Sequence, residues 1–237
     1  MRKLTASENA HLKSFTELHE CDSIDIFFEN QGQWGEPEEP GALTAVFDGV
    51  SGFEGVVLDP GLERCMVGIS DLSSCWGTVD TLPRLRGEFS IKEFFDCLLD
   101  PPPELVREEP APAEAEFYSQ LRVIDSAPRA ANGMMTAVRI QPGVNSLEIY
   151  FIDSGLDRTP EYENEYIRMD VDYCGYLDAL LMTKGTFGWQ YLFTEASSRD
   201  ERFRDFSDRL AYMLELFPRI FPEYDYTPLR DRLEARR

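Results

Sequence analysis

The stretch Asp172-Tyr173-Cys174-Gly175-Tyr176-Leu177-Asp178-Ala179-Leu180-Leu181-Met182-Thr183-Lys184-Gly185-Thr186-Phe187-Gly188-Trp189-Gln190-Tyr191-Leu192-Phe193 decides how this chain folds. Tyr173, Tyr176, Leu177, Leu180 and Leu181 recur at helical spacing, so the segment predicts a helix with one apolar face. Asp170 or Asp172 starts it, because a carboxylate there accepts from the orphan N–H groups of the first turn. Gly185 stops it, being tolerant of positive φ. Trp189 to Thr194 then reads as a short strand.

Working outward, Leu147, Ile149 and Phe151 alternate, which predicts a half-buried strand over 146–152. Its neighbour spans 134–140, and 166–169 is a further strand candidate. Downstream, Phe203, Phe206, Leu210, Met213 and Phe217 stripe a long amphipathic helix. Ser198 and Glu201 give it a capping box, and Pro218 and Pro222 close it. Upstream, Ser90 and Glu93 form another capping box ahead of Ile91, Phe94, Phe95, Leu98 and Leu99, and Pro101-Pro102-Pro103 ends that helix. Residues 100–116 carry five prolines and six acids, the composition of a linker or exposed loop. Nearer the N-terminus, Ile24, Ile26 and Phe28 alternate as a strand. Residues 7–20 fit a helix or an edge strand, and strand candidates follow at 43–48, 53–58 and 64–69.

These elements predict an α+β fold, with a mixed or antiparallel sheet and helices packed on one face. The organisation is either one continuous domain or two lobes. In the second case a β-rich lobe covers 1–105, a linker 106–116, and an α+β lobe 117–237.

The chain of 237 residues has a formal net charge of −21. Twelve acids and no Lys or Arg lie between Lys13 and Arg64, whereas nine arginines balance nine acids from Arg199 onward. Such a surface opposes nucleic acid, whose affinity comes from phosphate neutralisation, and it opposes an anionic membrane. It attracts a basic protein. No apolar run reaches the ~20 residues needed to span a bilayer. The N-terminus has no apolar signal core, so the expected compartment is the cytoplasm. The five cysteines are odd in number and scattered, which predicts free thiols.

No nucleophile elbow, phosphate-binding glycine loop, EF-hand or cysteine metal motif occurs, so no cofactor, metal or catalytic residue is expected. Only His11 and His19 are present; His19 with Cys21 and nearby carboxylates is the one pairing on which a hydrolase or metal enzyme can be built. Two acidic loops are the candidate partner-binding surfaces. One carries Trp34, Glu36, Glu38 and Glu39; the other carries Asp153, Asp157, Glu161, Glu163 and Glu165.

The helix–Lys-Gly–Gly-Trp-Gln order in 172–193, with Leu216-Phe217-Pro218-Arg219-Ile220-Phe221-Pro222 beyond it, resembles the C-terminal part of bacterial SUKH-superfamily proteins. That superfamily includes yeast cell-wall-assembly regulators. The resemblance covers residues 146–235 and implies a protein that acts by binding. Bacterial relatives commonly serve as immunity proteins that neutralise toxins, often nucleases. It also implies that Gly185, Trp189 and Gln190 define the fold. The leading expectation is therefore a non-enzymatic immunity protein for a basic toxin. A component of a phage or secretion assembly is a further alternative.

Overall fold

A computed structural model describes residues 3–35, 43, 46–104, 111–130, 133–156, 165–197 and 199–237. The fold is α+β. One antiparallel sheet carries seven strands in sequence order: β1 (Ile24–Gln31), β2 (Leu72–Thr78), β3 (Arg86–Ile91), β4 (Leu121–Ser126), β5 (Met135–Gln141), β6 (Val144–Ile152) and β7 (Tyr166–Met169). The helices are α1 (Ala6–Glu20), α2 (Phe94–Leu99), α3 (Pro112–Ser119), α4 (Tyr173–Thr183), α5 (Glu201–Ile220) and α6 (Thr227–Ala235). Two 3-10 helices, Pro60–Arg64 and Trp189–Phe193, complete the described elements.

Alternation along the strands builds two cores. Val138, Ile149 and Phe151 point into the main core, which α1, α2, α4, α5 and α6 cover with Phe15, Phe94, Tyr176, Phe217 and Leu229. Their neighbours Ala137, Tyr150 and Ile152 point the other way, into a smaller cluster with Tyr118 of α3. Phe117 and Tyr166 stack there at 4.4 Å. The main core draws on residues from Phe15 to Leu233, so both halves of the chain build it.

The sheet has one weak seam. β3 and β4 share a single residue pair, Ile91 with Asp125. The turn after α4 fills the remaining gap: Glu88 N–H donates to Gly185 O (2.9 Å), Phe187 N–H donates to Arg86 O (3.0 Å), and Gly87 bridges Thr186. Lys184 caps α4 at φ 52° and Gly185 follows at φ 69°. A Cβ on Gly185 would lie 2.7 Å from Glu88 O, so only glycine lets the turn enter the seam. Gly188, at φ 81°, lets the backbone pass under Phe206 of α5.

Several expectations are corrected. Ser90 lies in β3, and the cap of α2 is Glu93, which accepts from Asp96 N–H at 2.8 Å. Trp189–Phe193 is a 3-10 helix rather than a strand. Among the described residues of 46–69 there is no strand, only the isolated bridge of Ile69 with Trp34. Pro112–Ser119 is helical although its first five residues fall in the expected linker. Pro218 sits inside α5, which runs two residues further. Cys65 and Cys174 are disulfide-bonded, which corrects the expectation of free thiols; the fold closes a 109-residue separation that spacing alone conceals. Cys21, Cys75 and Cys97 are free.

Gly188→Ala is expected to destabilise the fold by at least about 2 kcal/mol, from left-handed backbone strain plus overpacking against Phe206. Chemical denaturation of the variant beside wild type measures this.

Candidate functional site

Carboxylates divide into buried ones that hold the frame and exposed ones that face water. Asp153, at the end of β6, is fully buried. Its carboxylate accepts both Nε (2.8 Å) and Nη2 (2.9 Å) of Arg202, the Tyr191 hydroxyl (2.7 Å) and Gly155 N–H (2.8 Å). It therefore pins α5 to the sheet, and it offers no face to a partner, unlike the exposed role expected for it. Asp125, in the β3–β4 seam, accepts from Tyr176 OH (2.7 Å) and Ser90 N–H (2.9 Å). Burial outweighs these bonds and pushes its pKa up to about 6.

The other expected site residues fall as follows. Trp34 is half-buried against the main core. Glu36, Glu38, Glu39, Asp157, Glu161 and Glu163 lie outside the described residues. Glu165 is half-buried, and its carbonyl accepts from Asp153 N–H at 2.8 Å. Gly185 lies in the seam, while Trp189 and Gln190 are buried, Trp189 packing on Tyr176 at 4.9 Å. His19 is exposed and bonds Glu29 at 3.0 Å rather than Cys21. Among the described residues no three His, Cys, Asp or Glu side chains converge on a metal-holding position. Burial raises the thiol pKa of Cys75 and takes that of Cys97 up to about 12, which suppresses the thiolate.

Among the described residues two open concave surfaces carry charged side chains of contrasting sign. The first is an open groove of about 1260 Å³ beside edge strand β7, reaching the Phe193–Ser197 segment and the end of α6. Glu148, Asp170, Asp172, Glu195 and Asp200 line it against two arginines, Arg168 and Arg236. Arg168 pairs with Glu148 at 3.2 Å, and Arg236 donates to Thr194 O at 2.9 Å. Asp170 is 91% exposed at the tip of β7, with Arg232 3.8 Å away. Asp172 caps α4 through Gly175 N–H at 2.7 Å, as the sequence suggested. The groove is thus acidic and borders β7, the last strand of the sheet among the described residues.

The second is a concavity of about 700 Å³ at the seam, lined by Arg84, Arg86, Arg129, Arg202 and Arg209 together with Phe27, Phe187 and Phe206. Sequence reading missed these arginines. They are scattered over 126 positions, from 84 to 209, and only the seam gathers them.

Comparison with family models, with curated proteins and with solved structures finds no match to this chain.

The Asp125 carboxyl supplies a pH test. Folded, it keeps its proton to about pH 6, whereas an unfolded aspartate loses it near pH 4. The folded state binds more protons between those values, so this group's contribution falls as pH rises through that window. Asp125→Asn is expected to gain about 2–3 kcal/mol relative to wild type between pH 4 and pH 7. Denaturant unfolding across that range measures the difference; a gap that does not change with pH contradicts it.

Proposed function

We propose that this chain acts by binding rather than by catalysis, as an immunity-type protein that engages a cation-rich protein partner along the acidic groove beside β7. The observation that carries the reading is the meeting of two features at one place. Among the described residues β7 is the last strand of the sheet, the position at which an incoming strand adds. The groove beside it is acidic. The sequence between β6 and β7 also carries Asp157, Glu161 and Glu163, which lie outside the described residues. Long-range attraction from a chain of net charge −21 speeds encounter with a basic partner. Backbone pairing and apolar contact with the half-buried Ile167 then supply the affinity.

The SUKH-like stretch supports the same reading in a different way. Its residues Gly185, Trp189 and Gln190 build the seam and core instead of a surface. The resemblance therefore describes a scaffold, with the contact surface left to the edge strand and its loops. A basic toxin, a nuclease among the candidates, is the partner class that the resemblance implies.

The immobilised chain, challenged with lysate of its native host, is expected to retain a basic protein whose association rate falls steeply with salt. Asp170→Lys with Glu195→Lys should slow association about tenfold and flatten the salt slope, leaving the unfolding midpoint near wild type. A partner whose binding ignores both salt and these reversals contradicts the proposal.

A further inference from the structure

The concavity at the seam has the opposite sign to the rest of the molecule. The chain carries 44 acids against 23 lysines and arginines, yet five arginines and, among the described residues, no carboxylate side chain line this one hollow. Like charges held together repel, and the repulsion grows as water is excluded. Arg202 is neutralised by Asp153. The other four are exposed, and no described carboxylate lies within ion-pair distance of Arg84, Arg86, Arg129 or Arg209.

Aromatic rings hold three of them instead. The Arg129 guanidinium lies 3.2 Å from the Phe28 centroid, Arg86 5.6 Å from Phe27, and Arg209 5.6 Å from Phe206. Stacking on a ring orients a guanidinium by its face and leaves its N–H edge free for an oxyanion. The backbone around Arg129 is fixed as well. Arg129 N–H and Ala130 N–H each donate to the buried Glu88 carboxylate at 2.8 Å, fastening this loop over the outer face of β3. Phe27, on the bulge of β1, is 57% exposed. A Cβ on Gly77 would come within 3.0 Å of its ring, so the glycine lets the ring lie close to the strand. The volume, about 700 Å³, falls in the range of small-molecule sites.

We propose that this concavity binds a phosphorylated small molecule carrying an aromatic ring, of the nucleotide class. The unpaired arginines take the phosphates through charge-assisted, bidentate bonds, and Phe27 with Phe187 supplies the surface for the ring. The site shares no residue with the acidic groove, so it stands or falls separately from the partner proposal.

ATP and inorganic pyrophosphate serve as probes in calorimetric titrations of the full chain, with methionine-methyl NMR as the reporter of place. Both probes should bind and shift the Met134 methyl, which lines the concavity, while Met169 in the acidic groove stays unmoved. Arg129→Gln with Arg209→Gln should weaken both at least tenfold without lowering the unfolding midpoint. Phe27→Ala should erase an advantage of about tenfold that ATP holds over pyrophosphate. If the double variant fails to fold, the wild-type methyl map decides alone. Absence of ATP binding, binding that leaves Met134 unmoved, or binding by hexaglutamate in place of ATP overturns the proposal. Equal affinity for ATP and pyrophosphate overturns its aromatic half.

Discussion

A buried ammonium joins three parts of this molecule. Lys184 is fully enclosed at the left-handed end of α4. Its Nζ donates to Ser14 Oγ (2.7 Å), Glu17 Oε2 (2.6 Å) and the Tyr224 hydroxyl (3.2 Å), with the Phe221 and Tyr224 rings beside it. Three elements far apart in sequence thus meet on one charge: α1, the turn after α4, and the segment between α5 and α6. Burial opposes that charge and lowers its pKa to about 8, even with Glu17 as counter-ion. An ammonium left there without Glu17 would be an uncompensated buried charge, which costs several kcal/mol. The arrangement also fixes the backbone that follows: the Lys184 carbonyl accepts from Trp76 Nε1 at 2.7 Å, locking the turn to β2 as Gly185 enters the seam.

That placement sets both concave surfaces. The turn lies along β3 beside the seam, and Thr186 and Phe187 form one wall of the arginine-lined hollow, with Arg202 held at its side by Asp153. On the other side the same chain segment leads through the Trp189–Phe193 turn to the floor of the acidic groove. The net charge is therefore not one face of one sign. Some carboxylates are consumed inside, some line the groove beside β7, and five arginines gather in the hollow.

Much of the frame was legible in the sequence because period and burial agreed there. The alternation of Leu147, Ile149 and Phe151, the stripe from Phe203 to Phe217, and Asp172 as a cap all appear as read. β2 and β3 escaped notice for physical reasons. In Leu72–Thr78 both serines at 73 and 74 are buried, so polarity did not alternate with exposure. Ser90 sits three residues before Glu93 and imitates a capping box while belonging to a strand. The 3-10 helix at Trp189–Phe193 is buried on every side, so no period marks it. The arginine hollow was illegible in principle: its residues come from β3, two loops and α5, and share no spacing.

The most direct test of the central role of Lys184 is its own titration, followed by NMR of the Nζ-adjacent methylene carbons in the intact protein. The structure predicts a midpoint near pH 8 that moves lower still in Glu17→Gln. A midpoint near 10.5, the value of a lysine in water, would mean that the ammonium is solvated and that the three elements are not joined through it.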